Sequence, residues 1–227
     1  QKVAAQVDLL LMGRFGYVLP QLVEQAGLAS AIAASRTFPR PTRSSVLVLV
    51  GPGNNGADGL VAARHLKLFG YDCTVIYPKR GKNELMESLV KQCEAFQVAV
   101  LPELPTVLPT ADTTFVVDAF FGFSFKGAIR PPFDSILTTV IDSRIPVFSI
   151  DIPSGWNVET GAPSDGSPVV EPEGLISLSV PKEGVRSFRG RHFLGGRFLP
   201  PALLSELSIN IPPYEGVELV QELPRNQ

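Results

Sequence analysis

The residues best suited to chemistry fall in three short stretches. In "GPGNNGADGL" the amides of Asn54 and Asn55 precede Asp58, and Asp118 closes the apolar run "TFVVD". Asp151 closes "VFSID" and is followed by the turn Pro153-Ser154-Gly155. Amide and carboxylate oxygens are hard ligands suited to a hard cation, and a positioned carboxyl group can move a proton or hold a positive charge. A carboxylate at the end of an apolar strand is costly unless paired, hydrogen-bonded or bound to a cation. The plainer alternatives are that Asp58 caps a helix, that the asparagines stabilise a turn, and that Asp118 and Asp151 cap the turns after them.

The glycines around Asn54 admit three readings. A Walker loop ends glycine-lysine-Ser/Thr, whereas this one ends "GADGL", so that reading fails. Gly51-Pro52-Gly53-Asn54-Asn55-Gly56 does match the dinucleotide pattern G-x-G-x-x-G, at a place where backbone N–H groups and a helix start would favour a phosphate. An NAD site would also place an acidic residue at the end of the second strand. Here "CTVIY" runs into Pro78-Lys79-Arg80, and Asp72 precedes the strand. A basic strand end suits a 2′-phosphate, which leaves an NADP oxidoreductase open. A tight turn with no ligand is the third reading. Asn54, Asn55 and Asp58 are unexplained by the first two.

Positioning these groups requires strands that deliver them to one edge. Apolar, β-branched runs predict strands over Val46–Val50, Cys73–Tyr77, Val98–Leu101, Phe115–Asp118, Val147–Asp151 and Leu175–Val180. Helical spacing predicts helices over Asp58–Phe69, Asn83–Phe96 and Phe133–Ile141. One or two helices precede the loop Pro39–Ser45, with apolar stripes at Leu22, Val23 and Ala26 and at Ala29, Ile32 and Ala33. Continuous apolar strands alternating with helices predict a mostly parallel sheet covered on both faces. In such a sheet ligands gather beyond the carboxyl ends of the strands, where Asp118, Asp151, Ser154 and Lys126 would meet the asparagine loop. No linker or repeat divides the chain, so one domain over 1–227 is expected, with N-terminal helices over 1–40 and the core over 46–213.

The 227 residues are 44% hydrophobic and 19% charged, enough to bury a large core. A net charge of -2 gives no general attraction to DNA or anionic lipid, and no apolar run reaches the length of a membrane span. Cys73 and Cys93 lack metal-ligand spacing and read as reduced structural thiols. His65, His192 and Trp156 read as packing or surface residues rather than catalytic ones. The chain opens "QKVAAQ" without methionine, so a longer precursor is expected and any targeting segment would lie outside the sequence.

"GPGNNGADGLVAARHL", "VVDAFFGFSFKG" and "IDIPSGW" together closely resemble the signatures of the NAD(P)HX epimerases, the YjeF N-terminal domain family, whose animal members are also called apolipoprotein A-I-binding proteins. "KLFGYDCTVIYPKR" and "GRHFLGGRFLPPAL" are similar to the animal-type proteins, and the resemblance runs to about Pro213. It implies a Rossmann-like three-layer α/β/α sandwich and an isomerase of nicotinamide cofactor repair, mitochondrial or cytoplasmic. Such an enzyme interconverts the R and S epimers of hydrated NADH and NADPH for an S-specific dehydratase. It also implies a homodimer and a bound potassium ion. Carried over, Asn54, Asn55, Gly56, Ala57 and Asp58 would contact substrate. Gly122, Phe123, Ser124, Phe125, Lys126, Gly127 and Ala128 would wrap the nucleotide, and Asp151 would face it. Asn55, Asp118 and Ser154 would hold potassium.

On this resemblance Asp151 is the first candidate for acid/base work at the inverting carbon and Asp118 the second, since bound potassium would keep Asp118 ionised. Lys126 reads as a solvated loop lysine more readily than a catalytic one. Two positions depart from the family pattern. Ala57 stands where a glycine is usual, and would cost roughly 1 kcal/mol if a positive φ were needed. Ala128 stands where animal-type proteins tend to carry an acidic residue. The rival readings are an NADP oxidoreductase and a nucleotide-binding scaffold that keeps the fold without the chemistry.

Overall fold

The computed structural model describes residues 2–81, 83–109, 112, 114–164 and 169–224. Two N-terminal helices, α1 (Lys2–Gly13) and α2 (Leu19–Thr37), precede the sheet. Then follow β1 (Ser45–Val50), α3 (Asn54–Leu68), β2 (Asp72–Ile76), α4 (Glu84–Ala95), β3 (Ala99–Leu101), β4 (Thr114–Ala119), α5 (Phe133–Ser143), β5 (Val147–Ile150) and β6 (Gly174–Leu178). A 3₁₀ turn at Glu183–Val185, β7 (Arg191–Gly195), α6 (Pro201–Glu206) and β8 (Gln221–Glu222) complete the described elements. The strands lie in the order β3-β2-β1-β4-β5-β6-β7-β8, parallel except for β8 against β7.

The register explains the two-faced burial. Along β1, Val46, Val48 and Val50 pack on one face among residues of α2, α3 and α4. Leu47 and Leu49 pack on the other face, against Phe133, Ile136, Leu137 and Val140 of α5. A strand apolar at every position is what this burial on both sides demands. Helices α2 and α3 approach closely at Gly27, where an added Cβ would lie 2.4 Å from that of Val61. A mid-helix glycine costs about 1 kcal/mol against alanine, and the close packing it permits offsets that cost. A third cluster joins the chain's two ends, with Val7, Leu11 and Leu22 against Phe198 and Leu203.

The strand order reverses at the β1–β4 pair, since β1 runs outward to β2 and β3 while β4 runs the other way. Loops leaving the two strands there diverge and open a crevice. They touch at their roots: the Gly51 N–H donates to the Ala119 carbonyl at 3.1 Å. A Cβ at Gly51 would lie 1.8 Å from the Phe120 carbonyl oxygen, so glycine is required there by space.

Several expected boundaries move. Helix α3 begins at Asn54, not Asp58, with Gly53 as its N-cap. Asp58 is therefore no helix cap; it sits in the second turn. Ala57 is helical and absent from the positive-φ residues, so the strain expected there does not arise. Its side chain lies in the core with that of Leu60. Asn83 caps α4 rather than entering it, accepting the Leu85 N–H at 2.9 Å. The strands β7 and β8 and the short α6 were not expected at all.

Candidate active site

Beyond the strand ends at the β1–β4 crevice lies a cavity of about 710 Å³, a size suited to a small-molecule ligand. Its wall includes Asn54, Asn55 and Asp58 from α3, Gly122, Phe123, Ser124 and Phe125 from the loop after β4, and Asp151 from the end of β5. Three separate stretches of sequence thus converge on one space. Gly56 and Ala57 do not line it; Gly56 packs on the turn, where a Cβ would lie 1.9 Å from the Gly51 carbonyl oxygen. Lys126, Gly127 and Ala128 are exposed and lie outside the cavity wall. Lys79 and Arg80, the basis for an NADP site, are likewise exposed and outside it.

Asp118 and Ser154 sit behind the wall. Asp118 lies within β4, opposite Leu49 and Ser149 in the register. One carboxylate oxygen accepts the Ser154 hydroxyl at 2.6 Å, and the other accepts the Ser154 N–H at 2.8 Å and the Ser149 hydroxyl at 3.0 Å. The Phe120 N–H adds a longer contact at 3.4 Å. Burial pushes the Asp118 carboxyl above its ordinary range, and these hydrogen bonds oppose the shift.

Asp151 has another environment. Its backbone is left-handed at φ 71, uncommon for a residue other than glycine but tolerated by Asp. One carboxylate oxygen accepts the Phe123 N–H at 2.9 Å. The other accepts a hydrogen bond from the ammonium of Lys182, which also donates to the Leu178 carbonyl at 2.8 Å. Lys182 is only 5% exposed and lines the same cavity. Sequence reasoning missed it. Its signal was its place just beyond an apolar strand, in "LISLSVPK", the same rule that marked Asp118 and Asp151.

Two more carboxyl groups face this cavity. Burial pushes Asp58 well above the usual carboxylate range, with the charges of Asp151 and Asp8 adding to the shift and Lys182 opposing it. Asp8 on α1 is also raised, by burial first, with Lys182 opposing. Asp8 was not foreseen. It interrupts the face of α1 that carries Ala4 and Met12, which line the cavity beside it. His192 pairs with the Ser177 hydroxyl at 2.9 Å, and burial, aided by Lys182, holds it down to about 4. His65 contacts the Glu24 carboxylate at 2.8 Å, away from the cavity wall. The Trp156 indole N–H donates to the Val170 carbonyl at 2.9 Å.

Asn55, Asp118 and Ser154 offer an amide oxygen, a carboxylate and a hydroxyl, a hard and mostly neutral donor set. The Asn55 Oδ1 and Nδ2 are buried with no hydrogen-bond partner among the described residues. An unpaired buried amide wants a ligand, and a monovalent oxygen-seeking cation fits this chemistry.

The comparisons with known proteins agree with this geometry. The family model for the YjeF-related protein N-terminus matches residues 19–184. A Caenorhabditis briggsae protein named NAD(P)H-hydrate epimerase is 51% identical over 221 residues, covering 97% of this chain and 92% of its own length. One of the same name from Cryptococcus neoformans is 44% identical, over 100% of this chain and 97% of its own. The crystal structure of yeast ynu0 superposes with a TM-score of 0.91 at 40% identity, over 98% of each chain. A shared fold, near-full-length relatives and the family match, over the same α3, β4 and β5 termini that build the cavity, lead to one conclusion: the chain belongs to the family of YjeF-related protein N-terminal domains.

Proposed function

We propose that this chain is an isomerase that interconverts the R and S epimers of hydrated NADH and NADPH. The observation that carries this reading is near-full-length similarity to proteins named NAD(P)H-hydrate epimerase, joined to a cavity walled by the three stretches that bear the resemblance. In this reading the cavity takes the nicotinamide end of the substrate. The loop from Gly122 to Ala128 contacts the nucleotide, and the start of α3 at Gly53 and Asn54 suits a phosphate.

In the hydrate a hydroxyl sits on the carbon beside the ring nitrogen. Inversion needs that C–O bond to break and re-form from the opposite face, or the ring to open and reclose; the first route is the one these carboxyl groups suit. Two carboxyl groups in different surroundings, Asp58 and Asp151, divide the acid/base work for which the sequence offered Asp151 first and Asp118 second. Asp58, whose carboxyl burial pushes well above its ordinary range, donates its proton to the hydroxyl, which leaves with the C–O electron pair as water. Asp151, ion-paired to Lys182, presents negative charge to the iminium cation left behind. Water then adds to the other face with loss of a proton to solvent, and Asp58 takes a proton back from solvent. Pairs of carboxyl groups held apart in protonation are a general route to acid and base roles in one site.

Potassium belongs to the same proposal, with Asn55, Asp118 and Ser154 as its holders. When bound, it would supply a fixed positive charge that satisfies the Asn55 amide oxygen and ties the start of α3 to the ends of β4 and β5. A homodimer and functional coupling to an S-specific dehydratase complete the reading. Ala57, which lends the scaffold alternative some weight, is accommodated in the core.

The test is a coupled assay. Mixed R and S hydrated NADPH is supplied to an S-specific dehydratase with ATP in potassium buffer, with and without this chain. Faster loss of the R fraction than spontaneous epimerisation is expected. A rate at baseline while the hydrate still binds would reverse the reading in favour of the scaffold.

A further inference from the structure

The Lys182 ammonium touches groups from three parts of the fold. It donates to the Leu178 carbonyl at the end of β6 and to the Asp151 carboxylate after β5. It also lies 5.4 Å from the centroid of the Phe123 ring, in the loop after β4. Asp151 reaches the same loop through its other oxygen, which accepts the Phe123 N–H. The four groups form a closed circuit of lysine, carboxylate, loop amide and loop ring.

A buried ion pair is a poor way to gain stability, because apolar residues of similar volume usually do as well or better. This one is also reached through uncommon backbone on both sides. Asp151 has φ 71, and Ser179, which turns the chain from β6 towards Lys182, has φ 66. Such backbone is maintained where the surroundings fix it, and it gathers at functional sites. Both members line the cavity, and the other charged or titratable groups near them are Asp8 on α1, Asp58 on α3 and His192 on β7.

We propose that Lys182 is a positioning residue for the epimerisation: through the Asp151 carboxylate it fixes both the charge that faces the reacting carbon and the Phe123 end of the loop after β4. The inference rests on the hydrate-epimerase reading for its kinetic consequence and on geometry alone for its effect on the loop. Arginine, or a lysine reaching in from solvent, would not serve equally. Two of the ammonium's three donors are spent within the wall, and a compact cation fits where a planar fork does not.

The experiment uses the full chain and the variants Lys182→Met, Asp151→Asn and their double mutant. Lys182→Met is expected to lower kcat about 100-fold while KM moves less than about threefold, since the pair acts on the reacting end. The double mutant is expected to be no slower than Asp151→Asn, because the two residues act as a unit. Ethylammonium is expected to restore part of the activity of Lys182→Ala. Without substrate, hydrogen exchange at the Phe123 amide is expected to rise about tenfold in Lys182→Met, with amides of α3 unchanged. Multiplying defects in the double mutant, or an effect on KM alone, would overturn the proposal. Unchanged Phe123 exchange would overturn it too, and that measurement stands even if the wild-type chain proves not to epimerise, an outcome that would sink only the functional reading. Should Lys182→Met fail to fold, Lys182→Gln, which still donates to the Leu178 carbonyl, carries the same exchange and kinetic tests.

Discussion

Asp118 and Asp151 end neighbouring strands and look alike in sequence, each an aspartate after an apolar run. Their surroundings differ in kind. Asp118 is held by neutral donors, two serine hydroxyls and two backbone N–H groups, and stands behind the cavity wall. Asp151 has a cation and one loop N–H, and stands on the wall itself. Neutral donors from β5 and the turn after it make the Asp118 carboxylate a tie between neighbouring strands. A single ammonium and one N–H leave the Asp151 carboxylate facing the space a substrate would fill. The strand-end signal therefore locates a carboxylate at the site but does not state its task; the partners do.

The largest effect should come from erasing the charge of the outer aspartate. Asp151→Asn is expected to reduce epimerisation about 10³-fold with the fold retained, because asparagine also tolerates left-handed backbone. Steady-state rates and a circular-dichroism spectrum check the two halves, and a variant within tenfold of wild type would place both aspartates in the tie class. The inner aspartate should respond in stability instead. Asp118→Ala leaves the Ser149 and Ser154 donors unpaired and is expected to cost roughly 3 kcal/mol, read from the urea midpoint. A loss under about 1 kcal/mol would mean that the hydrogen bonds around it are dispensable.

The smallest effect sharpens the question of which cation serves Asp151. His192 lies close enough for Lys182 to lower its pKa, yet burial already keeps it neutral down to about 4. The unfolded chain takes up that proton near 6.5, so folding stability is level above that pH and falls as the pH drops towards about 4. At pH 5 the loss is about 2 kcal/mol, a pKa unit being worth about 1.4 kcal/mol. His192→Gln should remove most of that acid sensitivity in paired urea titrations at pH 7 and pH 5. Undiminished sensitivity would transfer it to another group.

The strands β1, β4, β5 and β6 were legible because burial on both faces forces apolar runs; the edge strand β3 is exposed to half-buried and was legible only through its valines. β7 was not: "RHFLG" lacks β-branched residues and lies between glycines. β8 has two residues and α6 six, too short for any periodicity to show. Asn54, Asn55, Asp58 and Asp151 reach the cavity as their spacing suggested, since one rule about strand ends governs them all. Lys182 obeys the same rule, yet it stands beyond Pro181, outside the apolar run, where nothing in its type signals burial. Asp8 belongs to a helix that reads as separate from the sheet, and only the fold brings it back.

The joining of the chain's ends also bears on the order of assembly. Val7 and Leu11 of α1 have Phe198 and Leu203 for neighbours, and Arg14 pairs with Glu206. During synthesis α1 emerges well before Phe198 and Leu203, and its apolar side is covered only once they follow. The cavity wall that carries Asp8 is thus among the last parts to close. Until then the cavity lacks the wall that Ala4, Asp8 and Met12 form with Phe198 on that side.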